Sequence, residues 1–229
     1  MRPVSVALIL VAGTIGFGSS LSRGDDDWWS LLREVKPSAC QTPSREKPNG
    51  ANFVIAGVNL RDGQPIDDAE QKIAKPWAIS SRGDSGSSRD QICFKSTAKG
   101  GRLKLIFEQG PAGLPSVAYL IDGGPDWTDS YKCVVSQKVS EKLATASGLH
   151  LGMTAAEVEK ILGKPCAESN DSVEYFFDYQ YLLPLGERQR LKGKGDLSAD
   201  EPVDRFGDIQ IKFRGAKACY IAISTGETQ

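Results

Sequence analysis

Apolar and polar residues alternate in two short stretches, one in each half of the chain. In RLKLIF (102–107), Leu103, Leu105 and Phe107 point one way, and Arg102, Lys104 and Ile106 the other. In DIQIKF (208–213), Ile209, Ile211 and Phe213 oppose Asp208, Gln210 and Lys212. A period of two predicts β-strands with one face on a core. AYLI (118–121) and CYIA (219–222) read as the strands that follow, VEYFFDYQYLL (173–183) as a strongly aromatic strand, and AKGG (98–101) as a hairpin turn.

The helical signals are as local. In GLHLGMTAAEVEKILGKP (148–165), Val158, Ile161 and Leu162 form an apolar stripe. Thr154 and Glu157 have the spacing of a capping box, and Gly163 and Pro165 close the helix. In the first half, Pro65 opens a helix that Pro76 ends. DDDWWSLLREVK has acidic residues suited to a helix start, with Trp28, Trp29, Leu31, Leu32 and Val35 as an apolar stripe. Residues 36–50 read as loop, and 184–207 as a long charged excursion between strands.

These elements recur in the same order. Aligning Pro76 on Pro165 also matches Lys75 with Lys164 and Glu70 with Glu159. Downstream, Leu103, Leu105 and Phe107 fall on Ile209, Ile211 and Phe213, and Tyr119 falls on Tyr220. The pattern is that of an internal repeat. The expected fold class is therefore α+β, built as two tandem small modules, each a short helix (or helix pair) on a three-stranded antiparallel sheet. The expected boundaries are a signal peptide at 1–18, an N-terminal helix and linker at 19–50, a divergent first repeat at 51–127, a connecting helix at 128–147 and a second repeat at 148–229.

Composition narrows the function class. The 229 residues carry a formal net charge of −1, which gives no broad attraction to nucleic acid. Arg2 followed by VSVALILVAGTIGFG and small residues has the form of a secretory signal, cleaved near Gly18 or Ser20. That predicts a periplasmic or secreted protein. No cysteine stands at the cleavage point, so no lipid anchor is expected there. The five cysteines, Cys40, Cys93, Cys133, Cys166 and Cys219, include no C-x-x-C pair, and in an exported chain they invite disulfides.

The motif at Gly152, Met153, Thr154, Val158, Leu162, Gly163 and Pro165 resembles the SmpA/OmlA family, the BamE-like domain of outer-membrane assembly lipoproteins. The resemblance covers about 148–223. It implies a fold piece of cell-envelope assembly proteins rather than a chemistry. The tandem arrangement also resembles the β-lactamase-inhibitor protein family, in which two related copies share a concave sheet surface. The first copy departs from the motif, with Arg61, Asp62, Gly63 and Gln64 in the place of Gly-Met-Thr.

Catalytic and metal chemistry finds little support, and the reading assigns no catalytic residue, metal or cofactor. The single histidine, His150, lies between Leu149 and Leu151. GTIGFG (13–18) matches a dinucleotide fingerprint only inside the signal peptide. Arg82-Gly83-Asp84 sits in a Ser/Gly-rich loop, and Asp25, Asp26 and Asp27 read as a solvated N-terminus. Arg188, Arg190, Lys192 and Lys194 make the 184–207 segment locally basic.

The function expected is a non-enzymatic protein-binding module of the cell envelope, of assembly or inhibitor type; the rival is a hydrolase without a recognisable motif. Its partner would be another envelope protein or an extracellular one. If the apolar strand positions face the helices, parity leaves Lys104, Tyr119, Lys212 and Tyr220 on an open face as the candidate partner surface. Cys219, in phase with Ile221 and Ile223, would face the helix end and pair with Cys166, stabilising by about 3–5 kcal/mol through loop-closure entropy. Cys93 would then pair with Cys133 or Cys40.

Overall fold

The strands of both halves join into one sheet. The structure, a computed structural model, describes residues 40, 44, 47–75, 80–82, 89–110, 115–123, 133–183, 185–195 and 200–227. All of them belong to one unit, Val35–Gln229. The expected signal peptide, the aspartate-led helix, Pro76 and most of the Ser/Gly-rich loop lie outside the described residues.

A short ladder of β1 (Val54–Ile55) and β2 (Val58–Asn59) precedes helix α1 (Pro65–Lys72). Then come β3 (Ser80–Arg82), β4 (Arg89–Lys95), β5 (Leu103–Gln109), β6 (Ser116–Asp122) and β7 (Val134–Val135). Helix α2 (Ala155–Leu162) leads into β8 (Ala167–Glu168) and β9 (Ser172–Tyr181). Helix α3 (Leu185–Gly193) precedes the long hairpin of β10 (Val203–Arg214) and β11 (Lys217–Glu227). The strand order is β3-β4-β5-β6-β11-β10-β9-β8, with β7 parallel to β4.

This overturns the two-module fold class. β6 and β11 pair from Ser116↔Thr225 to Ile121↔Tyr220, so the ladder runs unbroken from one half into the other. Leu120 and Ile221, matched to each other in the comparison of the halves, are direct partners in that ladder. The halves thus share one sheet and one core. Two further expectations fail. Residues 133–147, assigned to a connecting helix, form β7 and a series of turns. The charged excursion contains α3, which carries Arg188, Arg190 and Lys192, and Arg188 and Lys192 both bind Asp200.

The core lies on one face of the sheet. Ile92, Phe94, Leu105, Phe107, Leu120, Ile221, Ile223, Ile209, Ile211, Val173 and Tyr175 project from six adjacent strands. Over them pack Ile66 and Ala69 of α1, Val158 of α2, and Phe53, Ile55, Val58 and Leu60. Each fully buried Val, Leu, Ile or Phe among them contributes about 1.5–3 kcal/mol by leaving water. Gly207 on β10 makes room for this cover: a Cβ there would meet Phe53 Cζ at 2.6 Å.

The Gly-Met-Thr spacing before α2 has local causes. Gly152 takes φ 85°, where a side chain is strained. Its N–H donates to Ala218 O at 2.7 Å, and Met153 O accepts from Ala218 N at 2.8 Å, which pins the helix start to β11. Thr154 Oγ1 then accepts from Glu157 N, and Glu157 Oε2 accepts from Thr154 N, completing the capping box. Those bonds hold the Glu157 carboxyl below its usual range. Among the described residues no helix is long and apolar enough to cross a membrane.

Candidate functional site

Strand parity places the four expected partner residues on the face opposite α1 and α2. Lys104, however, is 1% exposed, Tyr119 4% and Tyr220 2%. Only Lys212 is partly exposed, with Nζ 5.6 Å from the centre of the Tyr220 ring. As an accessible partner surface the set fails. Alternation fixes the direction of a side chain, not whether water reaches it. Here Cys93, Ile106, Val117 and Ile121 are interleaved with the polar groups, and the face is a second buried layer.

That layer is a linked polar cluster. Arg89 Nη1 lies 2.7 Å from Glu108 Oε1. The Tyr119 and Tyr220 rings are 6.3 Å apart and tilted. Gln210 Nε2 donates to Asp208 Oδ2 at 2.9 Å, while Asp208 Oδ1 and Tyr220 Oη are buried without a partner. Burial, then the nearby Glu174 carboxylate, pushes Asp208 up to about 7. Burial, followed by the carboxylates of Asp208 and Glu108, raises the Tyr220 phenol; burial, then Glu108, raises Tyr119.

The expected disulfide also fails. Cys166 pairs with Cys40, with Cα atoms 5.2 Å apart, and Cys93 pairs with Cys133 at 4.6 Å. Cys219 is a free, partly buried thiol whose pKa is raised by burial. A β-bulge is the cause. The register jumps from Lys212↔Tyr220 to Phe213↔Ala218, so Cys219 has no partner in the ladder and parity reverses there. Ala218 takes the core position, and the Cys219 thiol instead reaches Lys212 O at 3.6 Å. His150 is tied to the backbone of its neighbour, its Nδ1 lying 2.7 Å from Leu151 O.

Two features that sequence reasoning missed lie along β9. Ser44 runs parallel to this strand, donating to Phe176 O and accepting from Asp178 N, each at 2.9 Å. With the Cys40–Cys166 bond this holds Cys40 and Ser44 beside β9 and the end of α2. Between them is a cleft of about 340 Å³, walled by Ile161, Leu162, Tyr175 and Phe177 and edged by Lys47 and Lys164. Asn52, which also lines it, keeps a buried Oδ1 without a donor. Burial pushes the Tyr175 phenol up to about 12.

Beyond the cleft, three cations gather on the Tyr181 ring. Arg205 Cζ is 4.7 Å from its centroid, Lys47 Nζ 5.2 Å and Arg61 Cζ 5.6 Å. No sequence spacing joins these residues: Arg61 sits in the 3₁₀ turn Leu60–Asp62, Lys47 lies just before the 3₁₀ turn Gly50–Phe53, and Tyr181 and Arg205 lie at the paired ends of β9 and β10. No protein-family model, characterised protein or solved structure matches the chain.

Proposed function

We propose that the chain is an exported, non-enzymatic protein-binding module of the cell envelope, and that its partner contacts the cleft beside β9 rather than the sheet face opposite α1 and α2. The observation that carries this reading is the Cys40–Cys166 clamp, which with Ser44 closes one side of the cleft beside β9 before any partner arrives. Disulfides persist in oxidising compartments, which supports export. A preformed recess needs less ordering on binding than a mobile loop. Leu162, Tyr175 and Phe177 inside a margin of Lys47, Asn49 and Lys164 give the apolar centre and polar rim of a protein contact. The resemblance of Gly152-Met153-Thr154 to the motif of envelope assembly lipoproteins supports the same compartment.

Site-specific photo-cross-linking in the native envelope tests this. A photoreactive residue at exposed Lys164, on the cleft rim, should give a discrete protein adduct. One at exposed Lys138, beside the C-terminal end of α1, should not. The Lys164 adduct should weaken when Cys40 and Cys166 are both replaced by serine. The same adducts from both positions, or none from Lys164, would contradict the reading. Turnover of ester or peptide substrates by the purified chain would replace it with an enzymatic one.

A further inference from the structure

We propose that Lys47, Arg61 and Arg205, gathered on the ring of Tyr181, form a receptor for a dianionic oxyanion of phosphate type. The site draws on the protein-binding reading only through Lys47, which also edges the cleft.

Charge carries the argument. Three cations lie within 5.6 Å of one ring centroid. Among the described residues one carboxylate answers them: Arg205 Nη2 lies 3.0 Å from Glu227 Oε1. Neither Lys47 nor Arg61 has an acidic partner there, so two positive charges are unmatched. The ring offsets part of the repulsion, about 0.5–1 kcal/mol for each exposed cation–π contact. A ligand with two negative charges would restore neutrality, and guanidinium groups suit a phosphate because their N–H groups match its oxygens in pairs.

The cluster is also held in place. The Arg61 backbone N donates to Asn59 Oδ1 at 3.2 Å, which fixes the turn that carries it. Its guanidinium lies over Gly50, where a Cβ would come within 2.7 Å of Nη1. Arg205 is braced by Glu227 and by the Arg61 carbonyl, 3.4 Å from Nη1. The Nε atoms of both arginines are buried, so these side chains are packed rather than sweeping through solvent. A chance group of surface lysines has no such restraints. Preorganised donors lose less freedom when a ligand binds.

The test is calorimetric titration of the purified chain with inorganic phosphate at fixed ionic strength, with acetate as the monoanionic comparison. Parallel sedimentation assays use phosphatidate vesicles against phosphatidylcholine vesicles. Saturable phosphate binding is expected, weakened at least about tenfold by Arg61→Gln and severalfold by Lys47→Gln. Lys138→Gln, remote from the cluster, should bind as the wild type does. Binding of free phosphate alone identifies a solute as the source of the oxyanion. Phosphatidate binding lost in the same variants identifies a lipid headgroup. Both outcomes support the site. If Arg61→Gln fails to fold, exposed Lys47→Gln carries the test. Acetate binding as tightly as phosphate, variants that keep wild-type affinity, or no binding of phosphate or phosphatidate would each overturn the proposal.

Discussion

On the helix-covered face, Phe94, Leu105, Phe107, Leu120, Ile221 and Ile211 lie in adjacent strands and pack as a wholly apolar layer. On the opposite face the same strands carry Lys104, Glu108, Tyr119, Tyr220, Gln210 and Asp208, several of them buried as deeply. The first layer is stabilised by area removed from water and is insensitive to pH. The second depends on pairing, and it is incompletely paired at Asp208 Oδ1 and Tyr220 Oη. A buried polar layer of this kind costs free energy wherever a donor or acceptor is missing. The comparison separates two questions that strand alternation runs together: which way a side chain points, and what it meets there.

The sharpest break in the comparison is expected on the apolar side. Phe107→Ala, at a position with no exposure, should cost about 3–5 kcal/mol. Urea denaturation would show this as a lower midpoint, and a loss below about 1 kcal/mol would mean the layer is not close-packed.

Asp208→Asn should act in the opposite direction. In the folded chain Asp208 keeps its proton to about pH 7, against an ordinary value of 3.8. The folded state therefore binds the proton more tightly than the unfolded state. The stability this gives is fully present below about pH 4 and is lost as pH rises to about 7. Asparagine carries no such penalty. It should stabilise the fold above pH 7 by about 2–4 kcal/mol and leave stability at pH 4 nearly unchanged. Unfolding curves at the two pH values test this, and equal effects at both would place Asp208 in a wetter setting.

The smallest effect is expected at Tyr220→Phe. Its hydroxyl is buried without a partner, so removing it should leave stability within about 1 kcal/mol of wild type or raise it slightly. A loss of 2 kcal/mol or more would reveal an unrecognised hydrogen bond.

Much of the local structure was legible in the sequence because its causes are local. The capping box of Thr154 and Glu157 closes within one turn, and Pro65 sets its own φ. Leu105 and Leu120, like Ile211 and Ile221, are cross-strand partners on the face their alternation assigned. Other features depend on contacts distant in sequence. Nothing near Ser116–Asp122 signals that it pairs with Lys217–Glu227, yet this pairing turns two expected modules into one sheet. The bulge at Cys219 adds one residue to the ladder and reverses the parity on which the expected disulfide rested. Helix α3 has no apolar stripe, with Leu185 61% exposed, and its pairing to Asp200 is an ionic contact that hydrophobic spacing does not report. The Tyr181 cluster takes residues from four separate segments, none of them a motif.

The central claim is that the sheet face opposite α1 and α2 is closed and that the end of β9, at Tyr181, is open. Tyrosine-selective labelling of the folded chain, read residue by residue by mass spectrometry, tests it most directly. Tyr181, partly exposed at the end of β9, should be modified in the native protein. Tyr119 and Tyr220 should be protected until the chain is unfolded. Modification of Tyr119 and Tyr220 as fast as Tyr181 under native conditions would contradict the account.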